Sequence, residues 1–252
     1  MQLFALANLF LAGSVLATPT TLSRRSPSLR HVVRSDDEVA VANDTNVTYS
    51  SGWAGAVANG TGVNFVTATW KVPILTSPEL DFGEGSSWVG IDGNTCKNSI
   101  LQVGFDWSKS GGVVRYYSWY EWYPDITRRF SNFPLSGGDV ITATITASSP
   151  NAGTATLENL TQGKTVSQTF SNMTGESTLC QSNAEWIIEK VGVPTSFIDF
   201  DTLTFMNASA TDANGNVALD DARIFNIKQF DNVLTDCSHS GSCELTCKWL
   251  HT

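Results

Sequence analysis

Period-two alternation of apolar and polar residues, broken at short intervals by turn-forming clusters, does most to limit the folds open to this chain. Thr67-Ala68-Thr69-Trp70-Lys71-Val72, Val140-Ile141-Thr142-Ala143-Thr144-Ile145-Thr146 and Thr154-Ala155-Thr156-Leu157 alternate in this way. A strand sends successive side chains to opposite faces, so such runs suit half-buried strands rather than one stripe of a helix. Clusters of Gly, Asn, Ser and Pro punctuate them at Ser148–Gly153, Thr161–Lys164 and Asp212–Asn216. Ile187–Val193 is the one stretch with a helical argument, and its β-branched content speaks against it. Many short strands with frequent turns predict an all-β, two-sheet antiparallel β-sandwich of jelly-roll or concanavalin-like type. Its length suits one domain, residues 48–252.

Two segments precede that domain. Residues 1–17 carry no charge, and Leu3–Phe10 is apolar apart from Asn8. A membrane anchor needs roughly 20 continuous apolar residues, and Gln2, Asn8 and Ser14 interrupt this stretch, so a cleaved signal peptide is expected. Residues 18–47 are expected to be a propeptide. Arg24, Arg25, Arg30 and Arg34 give residues 18–34 a charge of +4, with His31 in reserve, while eleven basic and 24 acidic residues leave the remainder at −13. This contrast predicts a propeptide that docks on an acidic cleft as the protein's own inhibitor.

The same acidity argues against nucleic acid as a partner, no later segment is long and apolar enough for a membrane, and a secreted monomer is expected. N-x-S/T sequons at Asn43, Asn46, Asn59, Asn159, Asn172 and Asn207 predict glycosylated surface loops. Cys96, Cys180, Cys237, Cys243 and Cys247 suit an oxidising compartment. No second pair or His cluster joins them into a metal set, and neither metal nor cofactor is expected.

The histidines are His31, in the expected propeptide, and His239 and His251, in the C-terminal tail. A Ser–His or Cys–His nucleophile is therefore nearly excluded, and acid–base work must fall to carboxylates and amides. Strand parity shows where these point. Trp88, Gly90 and Asp92 share a face; so do Gln102, Gly104 and Asp106; so do Tyr117, Trp119, Glu121 and Tyr123; and Glu185 and Glu189 point one way. Four strands thus offer a groove-forming face, with glycines leaving room. Glu185 and Glu189 stand about 13 Å apart along a strand, too far for the couple of a retaining glycosidase, which needs about 5–5.5 Å. A working pair must cross strands. Trp88 and Trp119 equally suit an ordinary core, and Asp106 or Glu121 a structural hydrogen bond.

Ser51-Gly52-Trp53-Ala54-Gly55-Ala56-Val57, Trp88-Val89-Gly90-Ile91-Asp92-Gly93-Asn94-Thr95-Cys96, Ile100-Leu101-Gln102-Val103-Gly104, Trp119-Tyr120-Glu121-Trp122-Tyr123-Pro124 and Ala184-Glu185-Trp186-Ile187-Ile188-Glu189 closely resemble motifs of the glutamic peptidases, the eqolisins. The match runs in order from about Tyr49 to Cys247. The resemblance implies a secreted fungal acid protease acting on protein or peptide substrates. Its dyad would be Gln102 and Glu189, with Trp88, Asp92, Asp106, Trp119 and Glu121 in the substrate groove. Glu185 falls on a non-catalytic glutamate, so Glu185→Gln is expected to damage folding. The resemblance further implies bridges Cys96–Cys180 and Cys237–Cys247, leaving Cys243 over. In the implied mechanism Glu189 takes a proton from a bound water and later supplies one to the leaving amine, while the Gln102 amide serves the oxyanion and the water. A jelly-roll glycoside hydrolase using Glu121 and Glu189, and a lectin-like binding module without turnover, are the other readings weighed.

Overall fold

The computed structural model describes residues 46–76, 82–191 and 196–250. The expected signal peptide, nearly all of the expected propeptide with its four arginines and His31, the Asn43 sequon and His251 lie outside these residues.

Each alternating run of the sequence becomes a strand. The first seven are β1 (Val47–Ser50), β2 (Trp53–Asn59), β3 (Phe65–Lys71), β4 (Phe82–Ile91), β5 (Ile100–Ser110), β6 (Val113–Tyr123) and β7 (Arg128–Arg129). β8 (Val140–Ser149), β9 (Ala152–Asn159), β10 (Lys164–Phe170), β11 (Asn183–Glu189) and β12 (Thr202–Asp212) follow. The last are β13 (Gly215–Val217), β14 (Arg223–Gln229), β15 (Asn232–Val233), β16 (Thr235–His239) and β17 (Leu245–Trp249). They make two sheets. One runs β1-β14-β2-β11-β4-β5-β6-β7 with β15 beside β14, and the other runs β10-β9-β8-β3-β12-β17-β16 with β13 beside β12. Among the described residues every pairing between these strands is antiparallel except β1 with β14. The chain is thus the expected β-sandwich.

β8 and β9 keep strict alternation, one face in the core and one outside. β11 is buried at all seven positions and β5 at nearly all of its own. These central strands of the first sheet are covered on both sides, which is why their sequences do not alternate cleanly in hydropathy. The inter-sheet core holds Trp70, Phe105, Trp107, Trp186 and Phe205, with Trp70 and Phe205 ring centres 4.8 Å apart.

Two indole N–H groups tie the sheets together. Trp70 Nε1 donates across to Ser87 Oγ on β4 at 2.8 Å, and Trp186 Nε1 donates back to the Thr67 carbonyl at 2.9 Å. A buried indole donor without a partner would cost about 1–3 kcal/mol, so these bonds favour one docking position of sheet on sheet. The β5–β6 hairpin closes through Gly111-Gly112, whose φ values of 56° and 75° give a two-residue turn that twists with the strands.

Cys96–Cys180 and Cys237–Cys247 are both formed, and Cys243 is a free, exposed thiol. Among the sequons within the described residues, Asn46, Asn59, Asn172 and Asn207 are exposed. Asn159 corrects the expectation: it is 1% exposed, donating to Asp139 Oδ2 at 2.8 Å and accepting from Gln162 N at 3.0 Å. Its amide is committed to the interior and is not a glycan acceptor.

Candidate active site

The outer face of the first sheet, turned away from the sandwich core, carries the candidate chemistry. Register lays its side chains out in rows. Glu185, Gly90, Gln102 and Glu121 form one row, and Ile187, Trp88, Gly104, Trp119 and Arg129 form the next. Trp53, Glu189, Ser86, Asp106 and Tyr117 form a third. The groups expected from parity (Trp88 with Gly90, Gln102 with Gly104 and Asp106, Tyr117 with Trp119 and Glu121, Glu185 with Glu189) hold within each strand, and the backbone pairing fixes their order across strands and adds Trp53, Ser86 and Arg129.

Trp88 joins the two ends of this field. A Cβ at Gly90 would lie 3.0 Å from Trp88 Cζ3 and 3.3 Å from the Gln102 Cβ, so the six-membered ring lies over Gly90 beside Gln102. At its other end Trp88 Nε1 donates to Glu189 Oε2 at 2.9 Å. The indole therefore bridges from the base of Gln102 to the Glu189 carboxylate, two rows away. Gly104 makes this possible. A Cβ there would sit 2.1 Å from the Ser87 carbonyl oxygen and 2.6 Å from the Trp88 Cβ, an impossible approach for any other residue. Trp53, next to Glu189 in register, packs edge-on to Trp88 at 5.2 Å. Trp53, Trp88, Trp119, Ile187 and Phe225 form a second apolar cluster on this face.

Gln102 is held by one end only. Its Nε2 donates to Glu121 Oε2 at 2.6 Å, and Thr127 Oγ1 donates to the other oxygen, Glu121 Oε1, at 2.7 Å. Because a carboxylate can only accept, Glu121 fixes which end of the Gln102 amide faces it. The Gln102 carbonyl oxygen is left buried without a hydrogen-bond partner. A buried acceptor in that state is where a water or a reacting group finds a bond waiting.

The other acidic residues have distinct places. Asp92 ends the row of Trp88 and Gly90 at φ 68°, and its carboxylate accepts from Gln181 N, Ser182 N and Ser182 Oγ, each at 2.8 Å. It pins the segment leading into β11 beside the Cys96–Cys180 bridge, whose sulfurs are spent on each other and are not metal ligands. Asp106 is 9% exposed, opposite Tyr117. Glu185 is fully buried, accepts from Asn94 N at 3.0 Å through Oε1, and leaves Oε2 without a partner. Burial above all, then the charge of Asp92, pushes its carboxyl well above the usual range; the Asn94 bond opposes this and the charge of Glu189 adds to it. Its neutral form is thus favoured, whereas Glu189 faces an indole donor.

The structure unites Gln102, Glu189, Trp88, Trp119, Asp106 and Glu121 on one face, with Asp92 at its margin. Trp53, Thr127 and Arg129 belong to the same face and escaped sequence reasoning. Trp53 lies in a matched motif but at a strand start, and Thr127 and Arg129 lie at an edge strand of two residues, too short to show a period.

The chain matches the profile of the peptidase A4 family over residues 51–249. Aspergillopepsin-2 of Aspergillus niger is 40% identical over 264 aligned positions, covering 91% of this chain and 93% of the relative. Scytalidopepsin B of Scytalidium lignicola is 41% identical over 210 positions, covering 79% and 78%. Scytalido-glutamic peptidase, solved with a peptide-based transition-state analogue, superposes with a TM-score of 0.71 at 39% identity, covering 79% of this chain and 98% of that one.

Proposed function

The chain belongs to the peptidase A4 family, the glutamic peptidases or eqolisins, and we propose that it is a secreted acid endopeptidase with Gln102 and Glu189 as its dyad. The observation that carries this reading is the half-committed amide of Gln102. One of its N–H groups is taken by Glu121 while its carbonyl oxygen has no partner, so one N–H and one acceptor remain for chemistry. Glu189, tethered by Trp88, is the base. It takes a proton from a water as that water attacks the scissile carbonyl, and it returns a proton to the leaving nitrogen. The free N–H of Gln102 donates to the developing oxyanion, and its carbonyl oxygen positions the water. An amide is neutral at every working pH, so the oxyanion donor persists in acid.

Trp88, Trp119 and Asp106 are the residues we assign to the bound peptide. Asp92 and Glu121 act one step back, the first through the 181–182 segment and the second through Gln102. The glycoside-hydrolase alternative is not favoured, because both oxygens of Glu121 are occupied by internal donors.

Clearing of casein at acid pH, measured with and without a pepstatin-type inhibitor, tests this reading. Such inhibitors exploit two carboxylates sharing a proton, and this dyad has one, so hydrolysis should persist in inhibitor excess. Stoichiometric inhibition, or no peptide cleavage at all, refutes the reading.

The zymogen reading rests on the +4 of residues 18–34 against −13 in the remainder. Carboxylates titrate near 4, so acid discharges the body while the arginines stay charged, and the segment lifts. Replacing Arg24, Arg25, Arg30 and Arg34 with Gln should raise the pH at which N-terminal sequencing first detects maturation. Unchanged maturation pH would show that charge does not hold the segment.

A further inference from the structure

β7 adds a cation to the candidate groove. Arg129 pairs with Trp119 in register, so it extends the row of Trp88 and Gly104. Its guanidinium carbon lies 3.6 Å from the ring centre of Tyr117. Arg128 beside it faces the other way, opposite Tyr120, and is paired with Asp125 at 3.4 Å. Among the described residues no carboxylate lies within ion-pair reach of Arg129, and its Nε is buried without a hydrogen-bond partner. The charged groups nearest in register are Asp106, opposite Tyr117, and Glu121, two residues beyond Trp119; Glu121 is already committed to Gln102 and Thr127.

We propose that Arg129 is a specificity-determining residue that receives a carboxylate of the peptide substrate. A guanidinium stays charged at any working pH, and stacking on an aromatic ring holds its plane while leaving its edge donors free for a planar anion. β7 lies two strands from β5, about 10 Å, and an extended peptide rises about 3.3 Å per residue. The carboxylate therefore belongs within about three residues of the scissile bond. It can come from an Asp or Glu side chain or from the free C-terminus of a short peptide. On a face rich in acidic groups, an unpaired arginine turns one position from repelling such a group to attracting it.

This inference rests on the peptide-hydrolysis reading, and the test separates the two. The mature enzyme is assayed with synthetic peptide pairs that differ only in Glu or Gln at each of three positions on either side of the cleaved bond. A second set compares free-acid with amidated C-termini. At pH 5 the parent should favour one Glu peptide over its Gln partner by about tenfold in kcat/KM, mostly through KM. The ratio should shrink toward one at pH 3, where free carboxyls protonate. Arg129→Gln should abolish the ratio at both pH values, and Arg129→Lys should keep part of it, since charge remains without the planar fork. A preference that follows the C-terminal carboxylate supports the same contact with the other source. The parent's own ratio needs no variant to fold. Cleavage of the Gln peptides with no acidic preference, or a ratio unchanged in both Arg129 variants, overturns the inference alone. No cleavage of any peptide overturns the peptidase reading and this inference with it.

Discussion

Glu189→Gln should lower peptide hydrolysis by about a thousandfold or more, because general acid–base catalysis by one group is worth about 10²–10⁴. The substitution is nearly isosteric, and its carbonyl oxygen can still accept from Trp88 Nε1, which now reaches Glu189 Oε2 at 2.9 Å. Thermal unfolding of the variant should therefore stay close to that of the parent, separating lost chemistry from lost fold. Gln102→Ala should cost about 10²–10³ through the oxyanion donor, and more through the lost water-holding oxygen. It is the less clean probe, since it strips Glu121 of a donor at 2.6 Å and leaves a buried carboxylate with Thr127. The double variant should be little worse than Glu189→Gln alone, as expected of groups that act as a unit. The N-terminal segment is first removed by an unrelated, inhibitable protease, so that failure to mature is not mistaken for failure to catalyse. Purified Glu189→Gln with turnover near the parent's would refute the dyad.

How far the sequence could reach is clear from particular residues. The alternating runs at 67–72, 140–146 and 154–157 fall within or against β3, β8 and β9, because half-buried strands write their burial directly into the chain. Parity sorted the residues within each strand, Gln102 with Asp106, Trp88 with Asp92 and Trp119 with Glu121, and strand pairing is what joins these faces into one surface. Parity could not choose between Glu185 and Glu189, which share a face. The resemblance named Glu189, and the structure supplies a physical contrast: an indole donor for Glu189, and for Glu185 full burial with one backbone donor and the charge of Asp92 acting on it. Thr127 and Arg129 were out of reach, since their places depend on a two-residue edge strand that only the folded sheet defines. The Asn159 sequon misled because a tripeptide pattern carries no information on burial.

Glu185 gives the largest expected effect on stability. Its carboxyl is raised well above its ordinary value, first by burial and then by the charge of Asp92. The folded state therefore holds a proton that the unfolded chain, with an ordinary carboxyl near 4.3, gives up more readily. The sign follows from linkage. The stabilisation is complete below the unfolded value and is lost as pH rises through the folded one, because folding must then either retain the proton or bury a charge. Each tenfold gain in proton affinity on folding corresponds to about 1.4 kcal/mol of stability lost at high pH. The contribution of Glu185 should thus be greatest in acid and fall away as pH rises from about 4 toward neutrality. Glu185→Gln removes the proton dependence while keeping an oxygen for Asn94 N. Sequence reasoning expects this variant to damage folding; a carboxyl pushed toward its neutral form by burial predicts instead that the variant folds. In chemical unfolding across pH 3 to 7, the variant should match or fall slightly below the parent in acid, where its extra N–H takes the place of an Oε2 that has no hydrogen-bond partner. Toward pH 7 the two curves should cross, leaving the variant the more stable. Parallel curves over the whole range would show that Glu185 carries its charge in the folded state and does not govern stability against pH.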